Sequence, residues 1–352
     1  MKSRNDRILN WAIKKVKLEY SEDISLLVVY GSYVNGTEDP MSDVDFYFIP
    51  KNEKANELGR TFIIEGIGYD LFPMRWERVE GLAALNESLT PLLGNANIAY
   101  ASSDEDRKRF EKLQGILHRN LTNLSFMHQK AVDKLAQAID AWSRLVVQSD
   151  LCNCRLFAGV ILLQLADSVA YQNLTYFKKG LKMQFADLKM MDNLPDGFIK
   201  RYEVVIKANT VAEIKERCRK LIASCKDFLD SDIETAVHYP EKDKLVQEPH
   251  DIDFHVLAEI YGEIISTFNK VYSSCENDNS ILAFVSAVCL QQVLNDVVPN
   301  IRLDVLSNYN IADLSRFSAS VKSSEAELVK YITVGGAVIK SYDSVDEFLI
   351  TN

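Results

Sequence analysis

Apolar residues at positions 8, 9, 12, 13 and 16 recur at the spacing of one helix face, which predicts an amphipathic helix over residues 5–18. The next segment, ISLLVVY at 24–30, is apolar without alternation and stops at Gly31-Ser32, as a strand covered on both faces does. DVDFYFI at 43–49 and FIIEGIGYDLF at 62–72 predict further strands, the second bent or paired back at Gly66 and Gly68. Residues 97–101 predict a last short strand, because Ser102 and Ser103 stand three residues before Glu105 and Asp106, the spacing of a helix N-cap.

After Leu113 the period lengthens to that of helices. The pattern predicts them over 122–148, 154–178, 196–208 and 210–229, the last opened by Thr210 with Glu213 three positions on. Two prolines and a dense run of charge break the periodicity in 231–251, and helices resume over 252–275 and 280–297. The expected architecture is α+β: a mixed-sheet head over 1–112, a helical bundle over 113–230, a linker over 231–251 and a second helical module over 252–352.

A chain of 352 residues with 47% hydrophobic and 26% charged residues suits a globular protein of two or three domains rather than a disordered one. Its net charge of −10, with no strongly basic stretch, disfavours nucleic acid as a partner. Six cysteines without C-x-x-C spacing read as reduced, mostly buried thiols. The first residues lack the apolar core of a signal peptide, and no uninterrupted apolar run reaches the length of a membrane span. A cytoplasmic location and no membrane contact are expected.

Candidate chemistry is concentrated in YGSYVNGTEDPMSDVDFYFIP at 30–50. A buried strand delivers Gly31-Ser32 into a turn, and ten residues intervene before Asp43, with Asp45 two further on. In a strand, residues i and i+2 project from one face, so these two carboxylates stand side by side. Such a repulsive pair is tolerable around a divalent cation, and oxygen-only ligands select a hard ion such as Mg²⁺. Asp70 offers a third acid if its strand lies alongside, with Glu65 as the competitor should the register slip by one. Three acids of this kind suit two metal ions, an attacking hydroxyl and a leaving phosphate. Gly31 lets backbone approach a phosphate, and Ser32 supplies a hydroxyl and an N–H. A P-loop reading fails, because Thr37 stands where its lysine belongs.

This Gly-Ser, ten residues, Asp-x-Asp pattern resembles the signature of the DNA polymerase β-like nucleotidyltransferase superfamily. The α/β head followed by helices looks like its antibiotic-modifying branch, the lincosamide and aminoglycoside nucleotidyltransferases. The resemblance covers residues 24–72 closely and 1–112 more loosely. It implies transfer of a nucleoside monophosphate from an NTP, ATP being the expected donor, to an acceptor hydroxyl of a small molecule. Asp43, Asp45 and Asp70 would be the metal-binding and catalytic acids for two Mg²⁺ ions, with Gly31 and Ser32 at the phosphates. In the aminoglycoside relatives a helical carboxylate of the second domain acts as base, with a lysine near the phosphates. Here Asp167, followed by Lys178, Lys179 and Lys182, fills those places; the alternative is an internally satisfied acid and lysines at a helix end.

The five histidines have no ligand spacing, and Tyr171, Tyr176 and Phe177 read as core. Glu259, Glu263, Asn269 and Lys270 suit either a ligand or a charged outer helix face. A relative that modifies a protein or RNA is the enzymatic alternative, and a non-catalytic nucleotide-binding or toxin-neutralising module the other. The retention of all three acids favours an enzyme, as a monomer or a homodimer.

Overall fold

The computed structural model describes residues 3–230, 253–298 and 301–352; the expected linker lies outside the described residues. The chain opens with α1 (Arg4–Glu19), capped by Ser3, whose hydroxyl accepts from the Asp6 N–H while the Asp6 carboxylate accepts from the Ser3 N–H. It continues through β1 (Ile24–Tyr30), the short α2 (Gly31–Asn35) and β2 (Asp45–Pro50). After a 3₁₀ turn at Glu53–Leu58, β3 (Arg60–Ile64) and β4 (Ile67–Pro73) form the hairpin anticipated at Gly66. Glu65 (φ 53°) and Gly66 (φ 78°) turn the chain there. Next come α3 (Trp76–Ala83), α4 (Pro91–Gly94) and β5 (Asn97–Ala101).

The sheet has six strands in the order β5-β1-β2-β4-β3-β6, where β6 is Ser341–Tyr342. It is mixed: β1 runs antiparallel to both its neighbours, β2 and β4 are parallel, and β6 lies parallel to β3. Alternation along β2 decides the two faces. Phe46 and Phe48 join a core with Ile8 and Ala12 of α1, whereas Tyr47 and Ile49 join the larger core shared with the helical region. The molecule is therefore α+β, a mixed sheet with helices followed by a helical region.

That region contains α5 (Asp104–Leu121), α6 (Leu124–Val146), α7 (Leu151–Gln172), α8 (Leu181–Lys189), α9 (Phe198–Ile206) and α10 (Val211–Phe228). The side chains of Ser103 and Thr210 cap α5 and α10 as expected. Position 112 falls inside α5, because Phe110, Leu113 and Leu117 form one buried stripe. α7 stops at Gln172 rather than at 178, since Leu174 takes a left-handed φ of 58° that no helix continues. By length and hydropathy α7 resembles a membrane span, yet 78% of its most apolar stretch is buried inside the protein.

The last part of the chain holds α11 (Phe254–Glu276), α12 (Ser280–Val297), α13 (Leu314–Val334) and α14 (Val345–Thr351). It is not a module apart from the head. β6 extends the sheet, and Phe348 of α14 stacks 4.2 Å from Phe62 and meets Trp11 edge-on behind it. On the opposite face α11 lies directly on β3 and β4. A Cβ on Gly68 would fall 2.2 Å from the Gly262 carbonyl oxygen, so this close contact requires glycine in the strand.

Candidate active site

The strand registers gather the acids. Tyr30 of β1 faces Asp45 of β2, and Thr61 of β3 faces Asp70 of β4. Phe46 and Leu71 are partners across the parallel β2–β4 pair. Asp45 and Asp70, each one residue earlier, are thus lateral neighbours on the face that looks to the helices. One row across four strands reads tyrosine, aspartate, aspartate, threonine. Glu65, the competitor, sits instead in the hairpin turn against Arg4, 3.5 Å away.

Asp43 lies just before β2 rather than inside it. Its position is set by the start of α1, a contribution that the sequence did not advertise. Arg4 Nη2 donates to the carbonyls of Pro40 (3.0 Å) and Ser42 (2.9 Å), and Asn5 Nδ2 to those of Ser42 and Asp43 (3.1 Å each). Asn5 is itself held by the Tyr69 hydroxyl at 3.0 Å. The loop that leads into the acidic pair is therefore pinned from behind.

Gly31 completes the contact between turn and acid. At a φ of +75° it carries the bend, and a Cβ in its place would lie 1.8 Å from Asp45 Oδ2. Only hydrogen fits between that backbone and the carboxylate. Ser32 follows in the first turn of α2. Gly31 and Asp45 are thus in direct packing contact.

Burial and mutual repulsion unbalance these acids. Burial, and then the charge of Asp43, push Asp45 up to about 7. Asp43 is raised chiefly by burial, while the positive charge of Lys270 works against the rise. Burial also raises Asp70 to about 6; the Thr61 hydroxyl opposes this and Asp43 adds to it. Glu263 of α11 reaches about 7, through burial and the charges of Asp70 and Glu259. Glu263 and Lys270 thus belong to the cleft, and Asn269 to its scaffold, donating to Gly66 O at 2.9 Å. No local pattern could separate these roles, because the helix that carries them is far from the strands in sequence.

Among the described residues, no three His, Cys, Asp or Glu side chains already stand as a closed metal cage. The expected three-acid cage is therefore not preformed. Asp70 Oδ1 accepts from Thr61 Oγ1 at 3.3 Å, across the β3–β4 pair. Mg²⁺ does not need such a cage: it usually takes one or two carboxylates and fills its shell with water and substrate phosphates. Asp43 and Asp45, a pair of carboxylate oxygen donors, fit that demand.

A pH dependence follows from these positions. Asp45 titrates near 7 when folded and near 3.9 when unfolded, so the folded chain binds the extra proton between those values. Its contribution to stability is present at low pH and is lost as pH rises through about 7. Without metal, Asp45→Asn should gain on the wild type in melting temperature from about pH 4.5 to about pH 8, and added Mn²⁺ should reverse the order at the alkaline end. A melting difference independent of pH would contradict this.

The other anticipated residues separate into two groups. Asp167 is 8% exposed, pairs with Lys134 Nζ at 3.4 Å and accepts from the Ser88 hydroxyl. It is the internally satisfied acid, with no contact to the row of strand carboxylates in its ion pair or hydrogen bond. The lysines stand in the loop after α7 and at the start of α8, beside the loop that follows α2. Lys182 pairs with Asp39 at 2.6 Å, and Asn35 Nδ2 donates to the Lys178 carbonyl at 3.5 Å. They border the loop that follows α2, with Lys178 and Lys179 exposed.

Residues 9–87 match the family described as the nucleotidyltransferase domain, a span that contains the turn and all three strand acids. A putative protein adenylyltransferase from Methanocaldococcus jannaschii is 25% identical over 123 residues, covering 32% of this chain and 84% of that protein. A crystal structure of a nucleotidyltransferase-like protein from Exiguobacterium sibiricum aligns with 65% of this chain and 76% of that one, at 11% identity and a TM-score of 0.37. The protein is a nucleotidyltransferase. The domain match and the adenylyltransferase relative support the superfamily and do not extend to its antibiotic-modifying branch.

Proposed function

We propose that the enzyme transfers AMP from ATP, with Mg²⁺, to a hydroxyl of a small molecule and releases pyrophosphate. The observation that carries this reading is the packing of Asp45 against Gly31, which would set a metal-binding carboxylate beside the phosphate chain. Bound there, Mg²⁺ would supply charge neutralisation at the phosphates and polarise the α-phosphoryl group. Asp43 and Asp45 would hold it, with Asp70 as the third acid; Gly31 and Ser32 would seat the phosphate chain; Lys270 would face it from α11.

The acceptor side lies between the sheet and α11. A cavity of about 90 Å³ there is lined by Thr61, Gly262, His255, Glu259 and Lys340, and shares Thr61 with the acidic row. The acceptor's hydroxyl oxygen would attack the α-phosphorus, the bond to the pyrophosphate oxygen would break, and Glu263 would take the hydroxyl proton. The acidic chain, with its net charge of −10, suits a small acceptor better than RNA. A protein hydroxyl is the second reading, favoured by the relative described as a putative protein adenylyltransferase.

Incubation with Mg²⁺, each α-labelled NTP and a panel of aminoglycosides and lincosamides, followed by mass spectrometry, tests the proposal. A soluble product heavier by one nucleoside monophosphate supports it. Label that stays with macromolecule would select the second reading, and no metal-dependent pyrophosphate release with any acceptor would sink both.

A further inference from the structure

Two glycines bring a strand of the head and a helix more than 180 residues later into backbone contact, with a consequence for Asp70. Gly262 of α11 leaves no room for a methyl: a Cβ there would fall 2.6 Å from Thr61 Cγ2. Thr61, at 9% exposure, is β-branched and stiff about χ1, so the helix backbone pressed on its methyl restricts where its hydroxyl points. The hydroxyl meets Asp70 Oδ1 at 3.3 Å, across the antiparallel pair.

Asp70 needs such an anchor. Asp43 and Glu263 both place negative charge near it. Unrestrained, a carboxylate between two others turns toward solvent. The Thr61 hydrogen bond ties down Oδ1 and leaves Oδ2 outside that contact.

We propose that Thr61 is a positioning residue for nucleotidyl transfer, fixing the orientation of the Asp70 carboxylate in the acidic row, with Gly262 fixing Thr61 in that role. The inference rests on Asp70 acting as the third acid of the proposed reaction. It makes the α11 packing part of the active-site design: the helix sets an acid on the sheet face it covers through one threonine.

Thr61→Val keeps the shape and removes the hydroxyl. It should lower kcat about tenfold and weaken Mn²⁺ binding about tenfold, the usual scale for losing a partner of a metal-site ligand. The Mn²⁺ affinity is read by electron paramagnetic resonance with a non-hydrolysable ATP analogue and no turnover. KM for ATP should stay within about twofold, as for an interaction made mainly in the transition state. Thr61→Ser, which restores the hydroxyl, should recover both kcat and Mn²⁺ affinity, whereas Gly262→Ala, which displaces Thr61, should lose both.

Wild-type Mn²⁺ affinity in Thr61→Val, or a serine variant no better than the valine one, overturns the proposal. Should valine prevent folding, the serine and Gly262→Ala proteins decide by the same readouts. The two readings fail separately: a wild-type enzyme with no transfer refutes the proposed function, while the Mn²⁺ titration continues to judge Thr61.

Discussion

Asp45→Asn lowers nucleotidyl transfer by about a thousandfold, equivalent to about 4 kcal/mol of lost transition-state stabilisation. Asparagine keeps the size of the side chain and its place against Gly31, so the fold is retained while one anionic oxygen donor disappears. The loss should be mainly in kcat, because the remaining residues still seat the nucleotide. Its burial and raised titration make this residue costly to keep ionised in the absence of metal. A variant that is more stable than the wild type at alkaline pH, yet inactive, is the signature of an acid kept for function. Pyrophosphate release measured across a Mg²⁺ series checks it, and a variant with more than about a tenth of wild-type kcat would refute the assignment.

Gly31→Ala should be nearly as damaging for a different reason. The residue holds a φ of +75°, which costs an alanine about 1 kcal/mol, and its new methyl would overlap Asp45 Oδ2. The carboxylate must move, so transfer should fall by about a hundredfold, on the scale of a small misplacement at a reacting centre. The double variant Gly31→Ala with Asp45→Ala separates the two effects. Removal of the carboxylate relieves the overlap, so the second protein should recover most of the stability lost in the first and none of its activity. Chemical denaturation alongside the transfer assay gives both quantities. Equal stability losses with and without the Asp45 side chain would show that the contact is not what demands glycine.

The head was largely legible because its signals are local. An unbroken apolar run ended by Gly-Ser marked β1, alternating acids marked the start of β2, and two closely spaced glycines marked the β3–β4 hairpin. The capping residues Ser103 and Thr210 likewise declare helices within their first turn. What was hidden depends on contacts between distant segments. β6 has two residues and α14 seven, too short for any periodicity, and they are ordered by packing against β3, Trp11 and Phe62.

Within the site, the three strand acids and the bend were readable, but the Glu263 and Lys270 stripe was indistinguishable from a solvated helix face. A glycine inside a strand and another inside a helix, Gly68 and Gly262, were the available hints of that packing. Asp167 misled because an acid among apolar helix residues looks the same whether it serves chemistry or an internal ion pair; the deciding partners, Lys134 and Ser88, come from other elements.

Calorimetric titration of a non-hydrolysable ATP analogue into the wild-type protein, Asp43→Asn and Asp45→Asn, each with and without Mg²⁺, bears most directly on the paired acids beside the Gly31 bend. The account predicts wild-type binding that strengthens at least about tenfold with Mg²⁺, and a Mg²⁺ effect that vanishes in both variants. Nucleotide affinity indifferent to Mg²⁺ in the wild type, or a full Mg²⁺ effect surviving in either variant, would contradict it.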